Sequence, residues 1–372
     1  MPDKAGRQEL SLLQMGKKMK YYLQELQESE EAARTAGGKA REDVDSILEE
    51  MGYTAIRYVD KLLESGSVLE ALKYHKIKSE TLAGLLEPVG EGDELVIQFP
   101  IVNNSIYHGK VLKKLKKKGA GIILVIHDLE SLRYIKSSGL PLKKRIRLSI
   151  EEKSILKIAD RIVVHNEKMK DAMAGLGYDI SKMVPLGIFD YLIPEYETRK
   201  SETESRIKAG GPVIIAGNLK REKVGYIYEL PENADFNLYG IGYEEQEAQN
   251  IEYKGAFAPE ELPFALEGSF GLVWDGASAE SCSGVYGEYL KINNPHKTSL
   301  YIASGIPVII WKQAALADFV TENNCGIAVD SLYELHETLK KLTDGEYLKM
   351  AEDTRRMGNL LRNGCFLKKA LD

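Results

Sequence analysis

The sequence predicts an α/β protein of two Rossmann-like domains facing each other across a cleft. Three observations carry that expectation. Short apolar runs end in polar, Gly-containing turns and lead into segments of helical period, the βα theme of parallel sheets. The theme runs through residues 19–194, breaks over 195–208, where charged residues show no apolar periodicity, and restarts over 209–350. Within the second run, 271–311 is a complete unit. An apolar strand ends on Trp274-Asp275, a Gly- and Ser-rich loop follows, a helix opens at Asn294-Pro295-His296-Lys297, and Gly305 stops it before a second apolar strand. Domains are therefore expected at 19–194 and 209–350, with 195–208 as the linker.

At 372 residues the chain has room for two hydrophobic cores. Acidic and basic residues are interspersed and the net charge is only −6, so no overall field argues for a nucleic-acid partner. Cys282, Cys325 and Cys365 lie far apart, and the six histidines form no HExxH or Cys/His cluster, so no metal site is expected. Sparse, odd-numbered cysteines fit reduced thiols. No segment approaches a membrane span and no apolar signal core opens the chain, which predicts a cytoplasmic protein. Residues 1–18 are polar, carry no strand signal and read as an extension outside the folded domains.

In the first half, 19–26 (MKYYLQEL) is the first strand. Val44, Ile47, Leu48 and Met51 share one face of a helix over 40–51, which Gly52 stops. A strand at 54–59, a helix over 62–86 interrupted at Gly66, and an apolar strand at 94–99 follow. A helix over 106–118 puts Val111, Leu112 and Leu115 on one face and lysines on the other. The strand 121–126 (GIILVI) ends on His127-Asp128. A helix at 151–159, a strand at 161–165, a helix at 167–176 and a strand at 184–188 complete the half. The second half has strands at 212–216 and 236–239, a helix at 259–266, the unit at 271–311, a strand at 326–329, a helix at 332–342 and a helical tail over 347–371.

Ligands of open α/β sheets gather outside the carboxyl ends of the strands, and that ranks the loops. Trp274 and Asp275 lie at such an end, with His296, Lys297, Thr298 and Ser299 opening the next helix. A cation at a helix start opposes the helix dipole unless an anion sits there, so Lys297 points to a phosphate site, with the Thr298 and Ser299 hydroxyls as further donors. Gly217-Asn218-Leu219-Lys220-Arg221 ends the first strand of the second half. Arg221 is expected to fork onto phosphate oxygens beside Lys297, against the plainer alternative of an ordinary polar turn. At the tip of 121–126, either His127 or Asp128 serves as a general base, or His127 is a core residue and Asp128 caps the next helix. Thr35-Ala36-Gly37-Gly38-Lys39 joins the first strand to its helix. It lacks GxGxxG spacing, which argues against an NAD-linked enzyme, while Gly37 and Gly38 would let backbone approach a sugar or phosphate. The lysines of 110–118, with Arg133, Lys143, Lys144, Arg145 and Arg147, make a basic face that is either simply solvated or drawn to anionic lipid.

The succession of GDELVIQFP, IILVIHDLESL, Gly-Asn-x-x-Arg at 217–221, FGLVW, and His296-Lys297 before Pro307-Val308-Ile309 resembles a bacterial glycosyltransferase family. That family contains galactofuranosyltransferases of polysaccharide assembly and glucosyltransferases that extend protein-linked N-acetylglucosamine. The resemblance runs from Met19 onward, and MKYYLQEL with TAGGKA is most similar to the galactofuranosyl side. It implies a GT-B fold with the nucleotide sugar held by the second domain, and a C-terminal helix, 355–371, packing back on the first. It implies a UDP-hexose donor, a carbohydrate or lipid-linked glycan acceptor, and no metal or other cofactor. By matching position it implies nucleotide contacts from Thr35, Arg221, Tyr239 and Lys297.

One departure bears on stereochemistry. Many retaining GT-B enzymes carry an acid for the ribose five positions before the glycine that is Gly305 here; this chain has Leu300, and Glu280 and Glu288 lie too early. Inversion is therefore expected, with Asp128 or His127 as the base. The resulting expectation is a hexosyltransferase moving galactofuranose or glucose from a UDP-sugar to a carbohydrate hydroxyl. Trp274, Asp275 and Tyr239 would shape the donor pocket. Peripheral contact with the inner face of a membrane and a homo-oligomer are compatible with it. The alternative is a non-catalytic nucleotide-sugar-binding or scaffolding protein of the same fold.

Overall fold

The structure, a computed structural model, describes residues 18–26, 36–59, 68–101, 105–134, 152–245 and 248–372. Thr35, Lys143, Lys144, Arg145, Arg147 and the extension up to residue 17 lie outside the described residues.

In chain order the first half contains β1 (Lys20–Leu26), α1 (Ala36–Glu50), β2 (Thr54–Val59), α2 (Val68–Leu85), β3 (Glu94–Phe99) and α3 (His108–Lys117). It continues with β4 (Gly121–Ile126), the single turn α4 (Glu130–Arg133), β5 (Arg161–Val164), α5 (Glu167–Gly175) and β6 (Met183–Pro185). Its strands form one parallel sheet in the order β2-β1-β3-β4-β5-β6. Both faces of such a sheet are covered, which is why β3 and β4 are almost wholly apolar. Along them, Val96, Ile123 and Val125 face a core with Tyr22, Val44 and Ile47. Leu95, Ile97, Ile122 and Leu124 face the other core, with Leu82, Leu112 and Leu115. That period of two persists past the tip of β4 and decides where His127 and Asp128 point.

The second half follows helix α6 (Tyr196–Arg206). It comprises β7 (Val213–Asn218), α7 (Arg221–Val224), β8 (Phe236–Ile241), β9 (Ile251–Gly255), α8 (Leu262–Ala265) and β10 (Phe270–Val273). Then come α9 (Gly284–Leu290), α10 (His296–Ala303), β11 (Val308–Trp311), α11 (Ala317–Glu322), β12 (Gly326–Val329) and α12 (Leu335–Lys341). The strands again make one parallel sheet, β12-β11-β10-β7-β8-β9. In each sheet the order reverses once, between β1 and β3 and between β7 and β10. A crevice opens outside the strand tips at such a switch point.

Two helices end the chain, α13 (Asp344–Arg362) and α14 (Cys365–Leu371). The predicted single tail helix is broken because Gly364 adopts a left-handed φ of 66°. The break turns α14 onto the first sheet, where Leu367, Ala370 and Leu371 join the core of Tyr22 and Val44. Asp190 fixes its start, accepting from the amides of Phe366 (3.1 Å) and Leu367 (2.7 Å).

The stretch read as a linker, 195–208, is mostly helix α6 rather than an open tether. Tyr196 and Thr203 are buried, and Arg199 lies 3.9 Å over the Phe264 ring while reaching Glu261 at 2.9 Å. Periodicity missed it because so few of its positions are apolar. Likewise α1 begins at Ala36, earlier than the expected 40, so Gly37 and Gly38 sit in its first turn instead of a loop. On α3, His108, Gly109, Leu112 and Leu115 are buried while Lys113, Lys114, Lys116 and Lys117 stay exposed. Among the described residues no helix is long and apolar enough to cross a membrane.

Candidate active site

The second-domain wall is built at the β7/β10 switch point. Helix α10 lies close against β10 because residue 271 is glycine: a Cβ there would sit 2.2 Å from the Tyr301 ring. The Tyr301 hydroxyl accepts from the Ala216 amide at 2.8 Å, tying α10 to β7 as well. So anchored, α10 points its N-terminus into the crevice. Pro295 provides no side-chain cap there, leaving the positive end of the dipole unanswered. Thr298 and Ser299 in the first turn are buried, and neither hydroxyl has a hydrogen-bond partner. Unsatisfied buried donors of this kind mark a place that a ligand or water completes.

Lys297 donates to Asp275 Oδ1 at 2.8 Å and to the Trp274 carbonyl at 3.0 Å, and the two side chains are only 11% and 8% exposed. Burying such a pair costs desolvation and adds little stability, so its presence calls for another reason. A third charge joins it. Lys223, on the turn α7 after β7, is held in place by its carbonyl, which accepts from the Gly276 amide at 2.8 Å. Asp275 raises its pKa, but burial and the charges of Lys297 and Arg133 outweigh that and bring it below the usual lysine value. Lys223, Lys297 and Arg133 thus lie beside the carboxylates of Asp275 and Asp128, and with Lys223 itself counted the cations of this group outnumber the carboxylates.

The first domain supplies the opposite wall. At the tip of β4 the alternation of the strand sends neighbouring residues to opposite sides. Asp128 follows the side of Ile126, where the Tyr289 hydroxyl of α9 donates to Oδ1 at 2.7 Å and Arg133 pairs with Oδ2. The Arg133 guanidinium also lies 5.2 Å over the Tyr289 ring, and its Nε is buried without a partner. His127 follows the side of Val125. Its ring stacks on Phe189 at 5.5 Å and 6°, and its Nε2 lies 2.6 Å from Gln98 Oε1. Burial, then the charges of Arg41, His165 and His296, hold His127 well below the ordinary histidine value, so the ring is neutral near pH 7.

His165 and His296 pack around the same Phe189, at 4.9 and 5.9 Å. Burial lowers their pKa values to about 4 and about 3. Asn294 stitches the two walls together: its amide donates to His165 Nδ1 at 2.9 Å and its Nδ2 to the His165 carbonyl at 2.7 Å. The Asn294-Pro295 turn is thereby fixed to β5, and the start of α10 faces the first domain.

The structure thus gathers Asp275, His296, Lys297, Thr298, Ser299, His127 and Asp128 along one crevice. It does not bring Arg221 to Lys297. Arg221 is exposed, 4.4 Å over the Tyr228 ring and 4.0 Å from Glu244. Tyr239 and Trp274 are core residues rather than pocket walls. The Tyr239 hydroxyl accepts from the Glu267 amide at 3.0 Å, and Trp274 Nε1 donates to the Ser278 carbonyl at 3.0 Å. Only the Trp274 carbonyl takes part, through Lys297. Gly37 and Gly38 open α1, whose Lys39 reaches the Leu192 carbonyl (2.8 Å) and the Tyr191 ring (4.7 Å) beside His296. Leu300, where the ribose acid was sought, is buried. Lys223, Gln98 and Tyr289 carried no sequence signal. Among the described residues no group of three or more His, Cys, Asp or Glu side chains is arranged to hold a metal ion.

Comparison with known proteins fits this architecture. Residues 20–188 match the N-terminal domain and residues 213–372 the C-terminal domain of the family described as glucosyltransferase 3-like. The β-1,6-galactofuranosyltransferase WbbI of Escherichia coli (strain K12) is 35% identical over 356 residues, 95% of this chain and 97% of that protein. Glucosyltransferase 3 of Streptococcus gordonii is 27% identical over 335 residues, 89% and 92% of the two chains. Among solved structures, sucrose-phosphate synthase from Thermosynechococcus elongatus superposes with a TM-score of 0.60 over 95% of this chain and 98% of its own, at 14% identity, which speaks for the shared GT-B fold alone. The chain belongs to the glucosyltransferase 3-like family of bacterial glycosyltransferases and is a GT-B glycosyltransferase of glycan biosynthesis.

Proposed function

We propose that the protein transfers a hexosyl group from a UDP-sugar to a carbohydrate hydroxyl with inversion. The observation that carries this reading is the uncapped start of α10, with buried unpartnered Thr298 and Ser299 hydroxyls beside Lys297, Asp275 and Lys223. A diphosphate satisfies all of these at once: helix dipole, donors and excess charge. In the reaction the acceptor oxygen bonds to the anomeric carbon from the face opposite the diphosphate. The bond from that carbon to the phosphate oxygen breaks with its electron pair, and UDP departs. Lys297, Lys223 and the α10 amides stabilise the charge that develops on it, work that a metal ion performs in other enzymes.

The acceptor proton goes to His127. Of the two candidates at the β4 tip, Asp128 has both oxygens engaged by Tyr289 and Arg133. His127 is neutral, and a neutral ring has one nitrogen free to take a proton. Galactofuranose is the first donor sugar to assay, because the relative at 35% identity is a galactofuranosyltransferase. Glucose is the second.

Lys297→Ala should lower kcat/KM by roughly ten- to a thousand-fold, the usual cost of removing one preorganised charge-stabilising donor. The assay is UDP release from UDP-galactofuranose and UDP-glucose with a glycan acceptor mixture. Wild-type kinetics in a folded Lys297→Ala protein would remove the donor-site reading, and a product that retains the donor configuration would remove inversion.

A further inference from the structure

We propose that Gln98, locked by Asp45, is a positioning residue that sets which ring nitrogen of His127 accepts a proton; this rests on the reading of His127 as the base. Gln98 is a polar residue on the α1-facing side of β3, in line with Glu94 and Val96, and it is buried. Its amide has three partners. The Nε2 side donates to Asp45 Oδ1 at 2.6 Å and to the Arg41 carbonyl at 3.2 Å, both of them on α1. The Oε1 side lies 2.6 Å from His127 Nε2.

The orientation of that amide is dictated by chemistry. Turned over, its oxygen would face the Arg41 carbonyl, which cannot donate, and Asp45, which burial raises to about 7 and which above that pH is a carboxylate that cannot donate either. With the oxygen on the His127 side, Nε2 must carry the hydrogen, and the lone pair of the neutral ring is left on Nδ1. Asp45 is itself held: its Oδ2 accepts from Gln24 Nε2 at 3.3 Å, and Gln24 Oε1 accepts from Arg57 Nε at 3.3 Å. The line Asp45–Gln98–His127 therefore does for the ring what a carboxylate does directly in a Ser-His-Asp triad, with an amide interposed. Phe189, stacked flat on the ring, blocks rotation out of that plane.

The test combines a spectroscopic and a kinetic readout. In the wild-type protein, ¹⁵N chemical shifts should show His127 protonated on Nε2 with Nδ1 bare. Gln98→Met, close in shape but with no group to accept from Nε2, should lower kcat tenfold or more while the KM for donor stays within twofold. Gln98→Glu, which still offers an acceptor oxygen, should recover part of that loss. A proton on Nδ1 in the wild type, or wild-type kcat in Gln98→Met, overturns the anchor. His127→Ala measured alongside separates the two layers. Normal turnover there overturns the base reading and with it the catalytic value of the anchor, whereas an inactive His127→Ala with an active Gln98→Met overturns the anchor alone.

Discussion

Lys223 and Arg221 lie two residues apart on one helical turn, and about 100° of rotation per residue sends their side chains to nearly opposite sides. Lys223 turns inward to Asp275 and Lys297, and Arg221 turns outward over Tyr228. A sequence shows that three cations, Lys220, Arg221 and Lys223, follow β7 but not which one the turn delivers to the crevice. The pair Arg221–Glu244 is exposed and 4.0 Å long, weak enough for a ligand to displace, whereas Lys223 is already in place. Lys223→Ala should therefore lose kcat/KM by roughly ten- to a thousand-fold, as expected for a lost charge on a developing anion. The pH dependence carries the sign. Lys223 must be protonated to hold a diphosphate, and its pKa lies below the ordinary 10.5, so its charge is lost at lower pH than that of a free lysine. Lys223→Arg, which stays charged, should move the alkaline limb of the kcat/KM profile upward. An unchanged limb would assign that limb to another group.

At the scale of elements, the site depends on how near α10 can come to the sheet. Gly271 permits the Tyr301 ring to lie on β10, and Gly358 allows α13 to cross α10, where a Cβ would meet the Ile302 carbonyl at 2.3 Å. Gly271→Ala should destabilise the protein by about 1–3 kcal/mol, the common range for overpacking a dense core. Because the displaced helix carries Lys297, donor affinity should fall with it. Urea denaturation and UDP titration on one sample check both, and a variant with wild-type values in both would show that the helix yields without moving its N-terminus. Elements with unbroken apolar runs were legible in the sequence: β3 and β4 fall on the expected residues because burial on both faces forces that composition, and the edge strands β2 and β12 fall there too, although in β2 only Tyr58 is buried. Helix α6 and edge strand β9 were not. In β9 two of five residues, Glu252 and Tyr253, are exposed, and sheet pairing on one side defines it where hydrophobicity does not. The site was legible where a residue type contradicts its local setting, as a lysine at a helix start does. It was illegible at Gln98, which reads as a polar letter in a largely apolar strand until Asp45 and His127 are seen on either side of it.

For the molecule as a whole, burial of titratable groups sets two opposed pH dependences. Burial raises Asp43, Asp45 and Asp190 to about 6, about 7 and about 7, from an ordinary 3.8. Their contribution to stability is full below the ordinary value and is lost as pH rises through 6 to 7. Burial lowers His108, His165 and His296 to about 4, about 4 and about 3, from an ordinary 6.5. Theirs is full above 6.5 and is lost as pH falls toward 4, because the unfolded chain takes up protons that the folded protein refuses. Between about 4 and 6.5 the two sets oppose each other, so the wild-type slope is a small difference and a single substitution should expose one side of it. His108 is the cleanest probe. It is fully buried at the start of α3, neither ring nitrogen has a partner, and the Tyr58 ring meets it edge-on at 6.3 Å. It also lies outside the crevice, so replacing it leaves the donor site intact. His108→Phe keeps the aromatic contact and removes the titration. Relative to wild type, the variant should gain stability on acidification by roughly 1.4 kcal/mol per pH unit between 6.5 and 4, the linkage of one proton. Denaturation midpoints of the two proteins at pH 7 and pH 5 measure this directly. A difference between them that does not change with pH would mean that His108 titrates normally in the folded state and that its burial is relieved by a partner.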